Sequence, residues 1–306
     1  MSDSAIHAVA GGAAGVLAMS ITYPFIFIST RAAVETKSDN KSVYEVVVDV
    51  IKREGLSGMY SGLSSSLLGI AVTNTVYYYF YERSRGIVQK GKALSTPESM
   101  LIGLIAGSAT TIISNPLWVI QTSQAVESMQ QSEPSLAPSQ PKVAKKLSIA
   151  ATVRRLLAQD GIGAFWRGIG PALVLVINPI LQYTVFEQLK NTLIARRTAK
   201  LRAAGIAAAV AALSDGDIFL LGALAKLVAT STTYPYIVVK SRLQAGVKSA
   251  KYSSSLDGLT TIIKDEGVAG LYKGIGSKLV QSVLTAAILF AGQHRIYQLT
   301  KKALAA

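Results

Sequence analysis

The chain is 306 residues long; half of its residues are hydrophobic, 16% are charged, and the formal net charge is +14. A soluble domain carries about a quarter charged residues, so a water-facing surface of this size is short of solvating groups. Without cysteine, and with only His7 and His294 as histidines, the chain has no disulfide framework, thiolate metal site or catalytic cluster to draw on; no metal, no cofactor and no enzymatic activity are expected.

The charges leave long gaps. A helix needs roughly 20 mostly apolar residues to cross a bilayer. The first gap lies between Asp3 and Arg31 and reads as a retained span, because no basic stretch precedes it and it is too long for a signal-peptide core. It carries Gly11-x-x-x-Gly15, a small-residue packing pattern, and Pro24 near its end. Tyr44 to Ile51 is amphipathic and too short to cross, so it reads as a helix lying on the membrane surface. Arg53-Glu54-Gly55 and Tyr60-Ser61-Gly62 follow, and the second gap runs from Leu56 to Tyr81.

The same order then returns twice. Ser99 to Val126 forms the third span, with Gly103-x-x-x-Gly107 and Asn115-Pro116. A Ser- and Gln-rich segment within Gln124 to Leu147, holding Pro134, Pro138 and Pro141, reads as an inserted flexible linker. A surface segment at Ala150 to Leu157 leads to Gln159-Asp160-Gly161, Trp166-Arg167-Gly168 and a fourth span at Gly168 to Phe186. Arg196, Arg197, Lys200 and Arg202 form a basic patch suited to water or lipid headgroups. The fifth span, Ile218 to Val239, is interrupted only by Lys226 and holds Tyr234-Pro235. Leu256 to Ile263, Asp265-Glu266-Gly267, Tyr272-Lys273-Gly274 and a sixth span at Leu279 to His294 complete the third copy.

Gly55, Gly161 and Gly267 stand 106 residues apart, which fixes three tandem repeats in register. The expected fold is an all-α membrane protein: six transmembrane helices in three two-helix repeats (1–92, 93–200 and 212–306), with short surface helices, as a pseudo-threefold bundle. Pro24, Pro116 and Pro235 each remove a backbone hydrogen bond, and serve as fixed kinks or moving hinges. The basic excess suits anionic lipid or an anionic solute; six apolar spans exclude nucleic acid as the partner.

These features resemble the mitochondrial carrier family over nearly the whole chain. Its signature is Pro-x-acid-x-x-base at the end of each odd span, then the Gly and aromatic-x-Gly motifs, with aromatic-acid-x-x-base in each even span. The last appears as Tyr81-Glu82-x-x-Arg85 and Phe186-Glu187-x-x-Lys190. The departures are specific: Ile26, Trp118 and Ile237 replace the acids, and Ser29, Gln121 and Lys240 hold the basic position. Arg31 and Arg242 take a second basic position, followed by Gln244, and Gln293-His294 replaces the last aromatic-acid pair. The usual ion-pair gate cannot form, so Arg31, Lys240 and Arg242 are expected to lack acidic partners and the inner barrier to be weaker than usual. Thr-Tyr-Pro-Tyr-Ile-Val-Val-Lys-Ser-Arg-Leu-Gln and Val72 to Glu82 resemble the peroxisomal branch.

The resemblance implies a monomeric peroxisomal membrane carrier, with the mitochondrial inner membrane as the alternative, exchanging adenine nucleotides by alternating access. It implies gate roles for Arg31, Glu82, Arg85, Glu187, Lys190, Lys240, Arg242 and Gln244, and substrate positions on the even spans. Thirteen residues before Glu82 and Glu187 lie Gly69 and Val174. Gly69, Thr73 and Tyr77 share one helical face, as do Val174, Asn178 and Gln182, and Lys278, Gln281 and Thr285. Gly69 and Ile70 are small enough to admit a flat ring, while Lys278 and Gln281 suit phosphate. A mid-span charge costs roughly 2.5–3.5 kcal/mol, so Lys226 is expected to face a polar cavity or a structural partner. The rivals are a carrier of coenzyme A, FAD or NAD, and a scaffold that transports nothing.

Overall fold

A computed structural model describes residues 3–35, 43–89, 94–131, 148–204, 212–246, 252 and 254–288. The described residues contain helices and no strand. They are α1 (Asp3–Val34), α2 (Val43–Glu54), α3 (Leu63–Gln89), α4 (Thr96–Gln131), α5 (Ile149–Asp160), α6 (Ile169–Val174), α7 (Asn178–Ala203), α8 (Asp215–Ala245), α9 (Ser255–Gly270) and α10 (Ile275–Ile288). Four stretches are long and apolar enough to cross a bilayer: Gly15–Val34, Thr96–Val126, Ile162–Ala203 and Gly216–Ala245. The 27-residue α3 occupies the second span, made less apolar by its serines, threonines and Glu82-Arg83. The described part of the sixth span ends at Ile288; His294 lies outside the described residues.

Local chemistry sets the helix ends. Ser95 and Glu98 cap α4 reciprocally, and Ser214 and Asp217 form the same capping box on α8. Gly246 ends α8 in the left-handed conformation. The helix α4 runs through Gln131, so the inserted segment expected from Gln124 begins as helix, with Gln124 and Val126 buried. Its start is thus corrected; residues 132–147 lie outside the described residues. The fourth span, expected as one continuous helix, is broken. A 3₁₀ turn at Leu175–Ile177 separates α6 from α7, because Pro179 has no N–H to donate to the carbonyl of Leu175 four residues back.

The three repeats share one joint. In the aromatic-x-Gly motifs, Gly62, Gly168 and Gly274 have φ of 90°, 70° and 81°. Each presses on the fifth residue beyond the proline of a neighbouring odd span: a β-carbon would stand 3.0 Å from Gln121 O, 3.0 Å from Lys240 O and 2.7 Å from Ser29 O respectively. Only glycine combines that backbone with that approach. Gly274→Ala is expected to destabilise the protein by roughly 1–3 kcal/mol, read as a fall in melting temperature in detergent.

Before that joint, each repeat exposes matching apolar residues: Ile51, Leu56 and Tyr60; Leu157, Ile162 and Trp166; Ile263, Val268 and Tyr272. Three copies of one exposed apolar set at the ends of amphipathic helices place these helices at the membrane interface. Along the spans, Ile21, Leu101, Ile105, Ile112, Leu220 and Leu224 are likewise exposed, as lipid-facing side chains must be.

Candidate substrate site and gate

Beyond their prolines the odd spans converge. Val34, Val126 and Ala245, each ten residues after its proline, form one buried apolar cluster. Two charged ties lock this plug. Arg31 Nε donates to Ala125 O at 2.7 Å, joining α1 to α4, and its guanidinium lies 4.1 Å over the Phe27 ring. Arg242 Nε donates to Ala33 O at 2.9 Å, joining α8 to α1. At the third junction Ser123 stands where these arginines stand. Its hydroxyl is buried with no hydrogen-bond partner among the described residues. Neutral bonds hold that junction: Thr122 Oγ1 donates to Gln244 Oε1 at 3.2 Å, and Gln244 Nε2 to Asn115 Oδ1 at 3.3 Å.

A second neutral layer lies just before the prolines. Tyr23 donates to Ser61 O at 2.8 Å, Tyr234 to Lys273 O at 3.0 Å, and Asn115 Nδ2 to Phe165 O at 2.8 Å. Gln121 Nε2 donates to Tyr23 Oη at 3.4 Å, linking α4 to α1. Tyr23 and Tyr234 stack on Tyr60 and Tyr272 with ring centroids 6.2 Å apart. These residues bind the spans to the aromatic-x-Gly turns, and the sequence reading missed them. The signal available was their common place, immediately before each proline.

Arg242 is not the partnerless cation the sequence led us to expect. Its guanidinium is 1% exposed and grips both carboxylate oxygens of Glu266, while Lys273 Nζ lies 2.8 Å from Oε2. The expectation overlooked the acid of the Gly267 motif, 24 residues on. Asp160, before Gly161, likewise pairs with Arg167 at 2.8 Å. At the other end of the bundle, Glu82 pairs with Arg85 at 3.4 Å and Glu187 with Lys190, each within its own helix.

Inside the bundle, Lys226 Nζ on α8 donates to Asn178 Oδ1 on α7 at 3.4 Å. Asn178 in turn donates to Ala229 O at 3.1 Å and Thr233 Oγ1 at 2.7 Å, so the break at Pro179 delivers an amide that orients the lysine. Lys240 of α8 and Lys278 of α10 are, like Lys226, half-buried. Among the described residues none of these three lysines has an acidic partner. Gln281 Nε2 donates to Thr285 Oγ1 at 2.9 Å, and Thr285 shares a 3.1 Å hydrogen bond with Thr22 of α1. Val174 ends α6 at the break, and Gln182 is half-buried one turn beyond Asn178.

The wall formed by α3 differs from expectation. Gly69 is buried, and the ring beside it is the chain's own: three atoms of the Trp118 indole lie 3.6–3.7 Å from where a β-carbon would stand. The open slot expected at Gly69 and Ile70 is therefore corrected to a glycine covered by tryptophan. Tyr77, on the same face, stacks on Tyr81 with centroids 5.8 Å apart.

A pseudo-threefold helical bundle, closed at one end by an apolar plug and carrying within its spans three lysines that lack an acidic partner among the described residues, is the architecture of a membrane solute carrier. The chain belongs to the mitochondrial carrier family, whose model, described as mitochondrial carrier protein, matches residues 2–92, 92–197 and 211–305. It is 36% identical to the peroxisomal nicotinamide adenine dinucleotide carrier of Arabidopsis thaliana, over 95% of this chain and 94% of that protein. It is 31% identical to the peroxisomal membrane protein PMP34 of Mus musculus (94% and 91% covered) and to PMP47B of Candida boidinii (94% and 84%). The protein is thus a multi-pass membrane carrier of the peroxisomal branch, located in the peroxisomal membrane.

Proposed function

We propose that the chain exchanges anionic adenine nucleotides across the peroxisomal membrane by alternating access, as a monomer. The observation that carries this reading is that three half-buried lysines of the fifth and sixth spans, Lys226, Lys240 and Lys278, have no acidic partner among the described residues. Three half-buried positive charges inside a membrane protein are costly unless an anion completes them. A substrate with two or more phosphates supplies that charge, and Asn178 and Gln281 supply hydrogen bonds for orientation. ATP/AMP-type exchange is the first reading. NAD transport is the second, supported by the name of the Arabidopsis relative; coenzyme A and FAD carry the same adenine and phosphate groups.

The test is exchange in proteoliposomes loaded in turn with ATP, AMP, NAD, coenzyme A and FAD. At least one is expected to exchange against itself, and Lys278→Ala to weaken its uptake about 10- to 100-fold, the worth of a charge-assisted hydrogen bond. Failure of every adenine-bearing solute would leave the scaffold reading standing instead.

A further inference from the structure

The lysines account for the charge of a substrate and leave its flat ring unexplained. We infer that Trp118 and Thr73 form the ring-recognising half of the site, so that Trp118 determines specificity for the base; this rests on the nucleotide reading above.

Trp118 is the odd member of a threefold set. It stands two residues beyond Pro116, where Ile26 and Ile237 stand beyond Pro24 and Pro235. Those two isoleucines pack into the apolar clusters of their own repeats. In the second repeat the corresponding cluster is Val119, Ile120, Leu156 and Phe165, with Ile149 and Val153 against it, and Trp118 takes no part. Its ring turns to α3 and lies on the backbone at Gly69, the one side-chain-free position of that face. The lipid-facing stripe of α4 is Leu101, Ile105, Ile112 and Ile113. At 100° per residue, Trp118 projects roughly 140° away from that stripe, toward the bundle interior. It remains half-exposed there.

One turn along α3 from Gly69, the hydroxyl of Thr73 is buried and has no hydrogen-bond partner among the described residues. A native protein rarely leaves a buried hydroxyl unbonded, and an exception calls for an absent partner. An aromatic platform beside an unused hydroxyl is the pair of features a heteroaromatic base requires: stacking area and an in-plane hydrogen bond. The cations stand on α8 and α10, so one elongated molecule meets the base half and the phosphate half on different helices.

The experiment compares wild type, Trp118→Leu, Trp118→Phe and Thr73→Val in proteoliposomes. For each, KM and kcat of nucleotide exchange are measured, together with inhibition by tripolyphosphate, which has the charge and no ring. Trp118→Leu is expected to raise the nucleotide KM about tenfold while kcat and tripolyphosphate inhibition hold, and Trp118→Phe to recover most of the loss. Thr73→Val is expected to weaken nucleotide binding yet leave the melting temperature unchanged or higher, since it removes an unbonded buried hydroxyl. Equal weakening of nucleotide and tripolyphosphate by Trp118→Leu would assign the ring to packing and overturn the inference, as would an unchanged KM. Absence of nucleotide exchange by wild type would instead overturn the functional reading beneath it.

Discussion

Arg242→Leu is expected to destabilise the folded carrier by about 3–5 kcal/mol, the cost of breaking a buried ion pair from one side. The guanidinium satisfies four acceptors at once: both Glu266 oxygens, Ala33 O at 2.9 Å and Glu35 O at 3.3 Å. It thereby joins α8, the surface helix α9 and the end of α1, and Lys273 adds a bond to Glu35 O at 3.1 Å. Leucine fills much of the volume and leaves Glu266, with its side chain 12% exposed, to Lys273 alone. The double variant Arg242→Leu/Glu266→Gln is expected to recover part of the loss, because no buried charge then lacks its partner. Thermal unfolding in detergent reads both, and a loss under about 1 kcal/mol for the single variant would count against the assignment. Acid acts on the same knot. Burial pushes the Glu266 carboxyl up, but its hydrogen bonds with Arg242 and Lys273 outweigh burial and hold it below the usual value. Its stabilisation is therefore complete above the ordinary glutamate pKa of about 4.3 and is lost as pH falls through the lowered folded value.

The repeats were legible because backbone geometry demands a residue type. Glycine alone accepts positive φ beside a neighbouring helix's carbonyl, so Gly62, Gly168 and Gly274 appear in the sequence at equal intervals. Lys226 was legible for a similar reason, since a lone charge in an apolar span needs a polar neighbour; Asn178 is that neighbour. Partnerships across the fold were not legible. Nothing in local spacing joins Arg242 to an acid in the following surface helix, and no periodicity shows that Tyr23, Asn115 and Tyr234 turn toward carbonyls of the Gly turns. The space beside Gly69 is set by a residue on another helix. A glycine reads the same whether its space is open or covered by Trp118.

Ser123→Arg is expected to slow exchange by about 10- to 100-fold while raising thermal stability. Arg31, Ser123 and Arg242 occupy one threefold-related position, seven residues after Pro24, Pro116 and Pro235. Two of the three junctions at the sealed end thus carry a charged donor to a backbone carbonyl, and the α4–α8 junction carries only the neutral Gln244 bonds. The partner for a new arginine already exists. Asp160 holds the place in the second repeat that Glu266 holds in the third, and it pairs with Arg167 as Glu266 pairs with Lys273. An arginine at 123 would rebuild the knot of the third repeat in the second, adding about 1.5–3 kcal/mol to the sealed state. Each opening would then require that extra energy, which slows exchange if release of this end limits turnover. Ser123→Ala is the control: it removes an unbonded hydroxyl and should leave the rate unchanged. A Ser123→Arg carrier that is more stable yet exchanges at the wild-type rate would show that the α4–α8 junction does not govern opening. The missing gate acids therefore do not leave this end unsealed. Arginine ties at two junctions, neutral hydrogen bonds at the third and an apolar plug close it, and the unequal third junction is where it should yield first.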